Sequence, residues 1–184
     1  MKKVLTLLAA CIVLLSFSSF VAITPETCVI KIKKGVITVQ GTKVVPGWSL
    51  NTFKTALGEP DRSRDGYNNT HTYDKLGVVL FEKVLDKKAS GTVNEFQVYY
   101  KVSNPNNVTP NGNGFKGSLK VDKLVVTSSL TPSLMQAKLR KWKKTDSYIE
   151  HSYRMANGPL YIYFQFNESE TALEKVSIGP NTKK

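Results

Sequence analysis

The sequence predicts an α+β protein: two tandem repeats, each a short helix packed on an antiparallel sheet of about three to four strands, preceded by an N-terminal signal or hydrophobic helix. Three observations carry this. One helix has both of its ends encoded: Ser49 stands as N-cap, Leu50, Phe53 and Leu57 form an apolar stripe, Gly58 stops the helix and Pro60 turns the chain away. Two turns of helix are marginal alone and need a sheet beneath them, and strand-like runs lie on both sides, at residues 36–39, 78–81 and 93–100. Finally, the pattern recurs. Ile37, Val39, Ser49, Phe53 and Leu57 align with Leu119, Val121, Thr131, Met135 and Leu139 at a spacing of 82. His71 and Tyr73 align with His151 and Tyr153, and Val93, Phe96 and Val98 with Leu173, Val176 and Ile178, at a spacing of 80, the drift expected of one loop insertion or deletion.

In chain order, Lys2 and Lys3 precede an almost uninterrupted apolar run, so residues 1–24 read as a signal peptide or a membrane anchor. The chain is therefore expected to be exported, periplasmic, and membrane-anchored through residues 4–23 if that run is retained. If it is removed, Cys28 is the one cysteine left, which excludes an intramolecular disulfide. Residues 25–102 form the first unit. Val29, Ile30 and Ile32 alternate with lysines in the manner of an edge strand. Residues 36–45 follow as a hairpin and Pro46-Gly47 as a breaker. A polar turn at 63–70 leads to strands at 71–73, 78–82 and 93–100, the last with Phe96, Val98 and Tyr100 alternating. Residues 103–114, rich in Asn, Pro and Gly, read as a linker.

The second unit spans residues 115–179, with 180–184 as a tail. Thr131 caps its helix and Pro132 takes the first helical position, while Leu134, Met135, Lys138, Leu139 and Trp142 mark the inner face. Lys138, Arg140, Lys141, Lys143 and Lys144 make this helix strongly basic.

Gly47-Trp48-Ser49-Leu50 with Leu57-Gly58-Glu59-Pro60 resembles the helix-and-turn signature of small SmpA/OmlA-type envelope lipoproteins. A tandem pair of such units resembles the beta-lactamase inhibitory protein family, whose two helix-plus-sheet repeats form a concave binding surface. The resemblance implies a protein-binding role. It carries over no functional residue, because the second unit lacks the Gly-x-Pro stop and paired cysteines are absent.

Charge narrows the partner. From Pro25 onward, with Lys2 and Lys3 set aside, 24 Lys+Arg stand against 14 Asp+Glu, a net of +10. Such a surface favours an acidic protein, or a membrane surface, over neutral partners. Nucleic acid is excluded by export and by the lack of any recognition motif. No nucleophile with its base, paired carboxylates, metal-ligand spacing or phosphate loop is evident, so the chain reads as no enzyme, with no catalytic residue, cofactor or metal. His71 and His151 are too few to hold a metal, and Asp61, Asp65 and Asp74 lack calcium-loop spacing.

The partner-binding candidates are Lys138, Arg140, Lys141, Lys143 and Lys144 as an electrostatic surface, and Tyr99, Tyr161 and Tyr163 as aromatic anchors. Alternation puts Tyr161 and Tyr163 on one face and Ile162 and Phe164 on the other. The reading is an exported binding protein, in concrete form an immunity or inhibitor protein that occludes a toxin or hydrolase in the periplasm. The alternative is a structural envelope factor binding assembly machinery.

Overall fold

The structure, a computed structural model, describes residues 27–102, 105–112 and 114–181. The N-terminal hydrophobic helix expected from residues 1–24 lies outside them. No helix among the described residues is long and apolar enough to cross a membrane.

Strands β1 (Val29–Lys33), β2 (Val36–Val39) and β3 (Thr42–Val44) lead into helix α1 (Leu50–Leu57). Strands β4 (Arg62–Arg64), β5 (Asn68–Tyr73), β6 (Val78–Leu85) and β7 (Lys88–Tyr99) follow. Then come β8 (Ser118–Val121), β9 (Leu124–Val126), α2 (Pro132–Lys138), β10 (Lys143–Thr145), β11 (Ser152–Asn157), β12 (Leu160–Phe166) and β13 (Leu173–Pro180). They build a five-stranded sheet in the order β3-β2-β1-β8-β9 and an eight-stranded antiparallel sheet in the order β10-β11-β12-β13-β7-β6-β5-β4.

This corrects the expected architecture of helix-on-sheet repeats. Strands make up 48% of the structure and helix 11%, so the protein is mainly β, and neither half owns a sheet. The order β-β-α-β-β-β-β occurs twice along the chain, yet both sheets run through both halves. Strand β7 of the first half pairs with β13 of the second, placing Val98 opposite Val176 and Phe96 opposite Ile178. Strand β1 lies between β2 and β8, and its pairing with β8 is parallel. The physical reason is edge closure. A separate three- or four-stranded sheet in each half would leave open backbone donors and acceptors on its flank, and joining β7 to β13 satisfies both flanks at once.

Strand β1 is therefore central in its sheet and no edge. Its lysines alternate because Ile30 and Ile32 point inward while Lys31 and Lys33 face solvent. The inner faces of both sheets and both helices meet in one core. Trp48, Phe53 and Phe96 pack with ring centroids 5.5–6.5 Å apart, which seats α1 on β7. In the second half Met135, Leu139 and Trp142 are buried beside Ile162, Phe164 and Val176, whereas Leu134 is exposed.

The helix ends differ in detail from expectation. The Ser49 side chain makes no capping bond; its residue forms an isolated bridge to Thr92 instead. Thr131 does cap, accepting from Leu134 N–H, with Pro132 at the helix start. The expected basic helix is shorter than its run of charges: α2 ends at Lys138 and the chain has already turned at Trp142, whose N–H donates to the Leu139 carbonyl. Cys28 is buried, and burial pushes its thiol up to about 11, which makes it unreactive.

Residues 105–112, read in sequence as linker, lie against the first half. The Arg62 guanidinium grips Asp74 in a fork (2.9 and 3.0 Å) and donates to the carbonyls of Asn107 (2.8 Å) and Thr109. Asp74 also accepts from Asn111 N–H (2.6 Å), and Thr72 donates to the Val108 carbonyl (3.3 Å). The segment is a strap over the β4–β5 end of the large sheet.

Candidate functional site

Strand alternation sends one side-chain set of the eight-stranded sheet into the core and the other outward. Where the strap ends, the outward set is open. There Glu95, Gln97 and Tyr99 of β7 stand beside Lys175 and Ser177 of β13, then Tyr161, Tyr163 and Gln165 of β12 and Arg154 of β11. The register aligns Tyr99 with Lys175 and Gln165, and Gln97 with Ser177, Tyr163 and Arg154. All of these side chains except that of Tyr99, which lies beneath Lys175, line a groove of about 520 Å³ across the seam between the halves.

The groove is pre-organised by its own hydrogen bonds. Tyr99 donates to Gln97 (2.5 Å), Gln97 donates to Glu95 (2.6 Å), and Tyr161 donates to the other oxygen of Glu95 (2.6 Å). To reach Glu95, Tyr161 crosses the whole width of β13, its ring lying on Gly179. A Cβ at that glycine would sit 2.4 Å from the ring, so any side chain at residue 179 would displace the tyrosine. The Arg154 guanidinium stacks over the Tyr161 ring at 4.8 Å, and the Lys175 ammonium over Tyr99 at 5.7 Å.

Burial and then Glu95 raise the Tyr99 hydroxyl to about 12, and the same two causes raise that of Tyr161. Burial lowers the Lys175 ammonium, with Glu95 and Glu174 opposing. At neutral pH Tyr99 and Tyr161 are therefore fixed donors. The rim is apolar and aromatic: Tyr148 is 93% and Ile149 52% exposed, on a loop tied down where Ser147 meets the Tyr163 hydroxyl at 2.7 Å.

Of the residues singled out from sequence, Tyr161 and Tyr163 line the groove, with Ile162 and Phe164 buried on the opposite face, and Tyr99 is nearly buried beneath Lys175. The five basic residues are not gathered at one place. Lys143 belongs to the outward set of β10, beside Ala156. Lys144 lies over the Tyr153 ring at 5.1 Å. Lys138, Arg140 and Lys141 line a different pocket.

Glu95, Arg154 and Lys175 complete the groove and were not legible one strand at a time. One signal points to them: charged residues at alternate positions of strands whose other positions are apolar. His71 and His151 go separate ways, the first buried against Glu82 (3.0 Å), the second near Glu170 (3.6 Å). No group of three or more His, Cys, Asp or Glu that could hold a metal occurs among the described residues.

Residues 29–133 match the family described as "Domain of unknown function (DUF7738)". That stretch runs from β1 into α2 and includes the β7 wall of the groove but not β11, β12 or β13. No curated protein matches. Among solved structures, a DUF4309 family protein from Bacillus subtilis aligns at 12% identity and a TM-score of 0.41, covering 78% of this chain and 84% of its own. A cysteine-rich secretory protein from Staphylococcus aureus aligns at 8% identity and a TM-score of 0.39, over 72% of this chain and 42% of its own.

Proposed function

The chain belongs to the DUF7738 family, and for this member we propose that it is an exported, non-catalytic binding protein that seats another protein in the tyrosine groove of its large sheet. What supports the reading is the groove's make-up. Rigid tyrosines and an arginine, held in place before any partner arrives, sit beside exposed Tyr148 and Ile149, and this composition gives protein interfaces most of their binding energy. Glu95 is occupied by Tyr161 and Gln97, so the charges left facing outward are those of Arg154 and Lys175. With a net charge of +12 over the whole chain, they favour an acidic partner surface. In concrete form the protein is an immunity or inhibitor protein in the periplasm, occluding a toxin or hydrolase by covering its acidic surface.

The test is capture from an envelope extract with the full chain as bait, run in parallel with Tyr148→Ala and Arg154→Ala. The reading expects a one-to-one complex that forms more slowly as salt rises, since steering is screened beyond about 8–10 Å at physiological ionic strength. Both variants should lose it. A partner retained equally by both variants would place the interface elsewhere.

A further inference from the structure

A second concavity lies at the opposite end of β1 from its N-terminus, and its chemistry differs from that of the groove. The parallel pairing of β1 with β8 sets the β1–β2 turn beside the β8–β9 turn, with Asp122 N–H donating to the Ile32 carbonyl at 2.7 Å. The end of α2 and the turn after it close the third side. The result is a pocket of about 420 Å³ lined by Lys33, Lys34, Lys123, Lys138, Arg140 and Lys141. Six basic residues from three separate stretches of chain thus border it, all of them exposed.

One carboxylate lies among them, and it is committed to the wall. Asp122 accepts from Lys34 N–H through one oxygen (3.0 Å) and from the Trp142 indole N–H through the other (2.8 Å). None of the ion pairs among the described residues involves any of the six cations. The positive field extends beyond the pocket. On the outer face of the five-stranded sheet the register lines up Lys43, Thr38, Lys31 and Lys120 across four strands, and all three lysines are exposed. Lys31 and Lys120 are neighbours across the parallel β1–β8 pair, so two like charges are held side by side and repel. An anion that neutralises such a cluster removes that repulsion.

We infer that this pocket binds a multiply charged phosphate group, with the lysine row as its electrostatic approach. Phosphate chemistry fits for two reasons. Arg140 offers a planar fork and the five lysines offer point charges, the pairing that suits clustered phosphate oxygens. A single carboxylate would leave most of the six cations unmatched, whereas a chain of phosphates or an array of phosphate headgroups would not. Linear polyphosphate and anionic lipid share this chemistry.

The experiment titrates the full chain with inorganic tripolyphosphate by calorimetry at low and physiological salt, and repeats it with the Lys123→Ala/Arg140→Ala double variant. Both residues are on the surface, and unfolding curves of the variant confirm that it folds. A control variant, Lys88→Ala, lies outside the pocket. The expected result is saturable one-to-one binding that weakens with salt, falls at least about tenfold in the double variant, since charge-assisted bonds exceed one decade in affinity each, and is unchanged in Lys88→Ala.

A second arm adds vesicles of phosphatidylcholine with and without phosphatidylglycerol. Displacement of tripolyphosphate by the anionic vesicles alone identifies a lipid headgroup as the source; no displacement identifies a soluble phosphate. Absence of saturable binding to both probes overturns the inference. So does equal binding by the double variant, which would reduce the pocket to diffuse surface charge.

Discussion

Arg62→Ala should unfasten the strap and cost the fold about 2–4 kcal/mol. The guanidinium makes two bonds to Asp74 and two to carbonyls of the strap. Its side chain is 28% and that of Asp74 20% exposed. Bonds to charged groups are worth roughly 1.5–3 kcal/mol each when buried, and surface ion pairs about 0–1, so four bonds at this intermediate burial give the range stated. Arg62→Lys keeps the charge but loses the fork and should give up about half of it. The assay is urea unfolding followed by the fluorescence of Trp48 and Trp142, with limited proteolysis to locate the opened segment. Cleavage within residues 105–112 should accelerate in Arg62→Ala. A double-mutant cycle with Asp74→Ala should show a coupling of at least about 1 kcal/mol. A stability change under about 0.5 kcal/mol with unaltered proteolysis would refute the idea that this ion pair holds the strap.

Three further outcomes follow from other parts of the molecule. Glu82 is buried, and although burial alone would raise its carboxyl, bonds from His71 (3.0 Å), Gly91 N–H (2.6 Å) and Asn69 (3.4 Å) hold it below the usual range. A folded value below the unfolded one of about 4.3 means that its contribution is complete above that pH and disappears as pH falls through the folded value. Unfolding free energy should drop below about pH 4, and Glu82→Gln should show a shallower acid slope while Asp74, lowered chiefly by its bonds to Arg62, still contributes. Phe164→Ala, at a fully buried site, should lose about 3–5 kcal/mol in a single cooperative transition, because both halves share one core. Gly179→Ala should push the Tyr161 ring off β13 and away from Glu95; ultraviolet titration should then find one tyrosine fewer ionising late, and partner capture should fail.

How far the sequence discloses this molecule depends on whether a feature is local. Helix α2 is legible because Thr131 and Pro132 write its start in adjacent residues, and the outward face of β12 is legible because alternation fixes it within one strand. The five basic residues mislead because a helical period continues through Leu139 and Trp142 after the helix has stopped; a buried residue three positions on fits a turn as well as a helix. The chain just beyond α2 is held by a tertiary contact, the bond from the Trp142 indole to Asp122 twenty residues earlier. The lysines of β1 mislead for a similar reason, since alternation reports a half-exposed strand but not its neighbours. Glu95, Arg154 and Lys175 come from three strands, and only the register brings them together.

The seam between β7 and β13 has a consequence for where binding can reside. Its inward residues, Phe96, Val98, Val176 and Ile178, are at most 1% exposed, so the seam is core and no mobile junction. Its outward residues are the floor of the tyrosine groove, with Glu95 on one side of the seam held by Tyr161 from the other. The same pairing that closes the two sheet flanks therefore assembles the groove. In the stretch that matches the family, residues 29–133, the lining is present only in part: Glu95 and Gln97 without Tyr161, Arg154 or Lys175. Without β13 beside it, β7 would present open backbone groups along its flank, and Glu95 would have Gln97 alone as a side-chain donor. Stability and the geometry of the groove are thus coupled through one strand pair, and any substitution that loosens it acts on both.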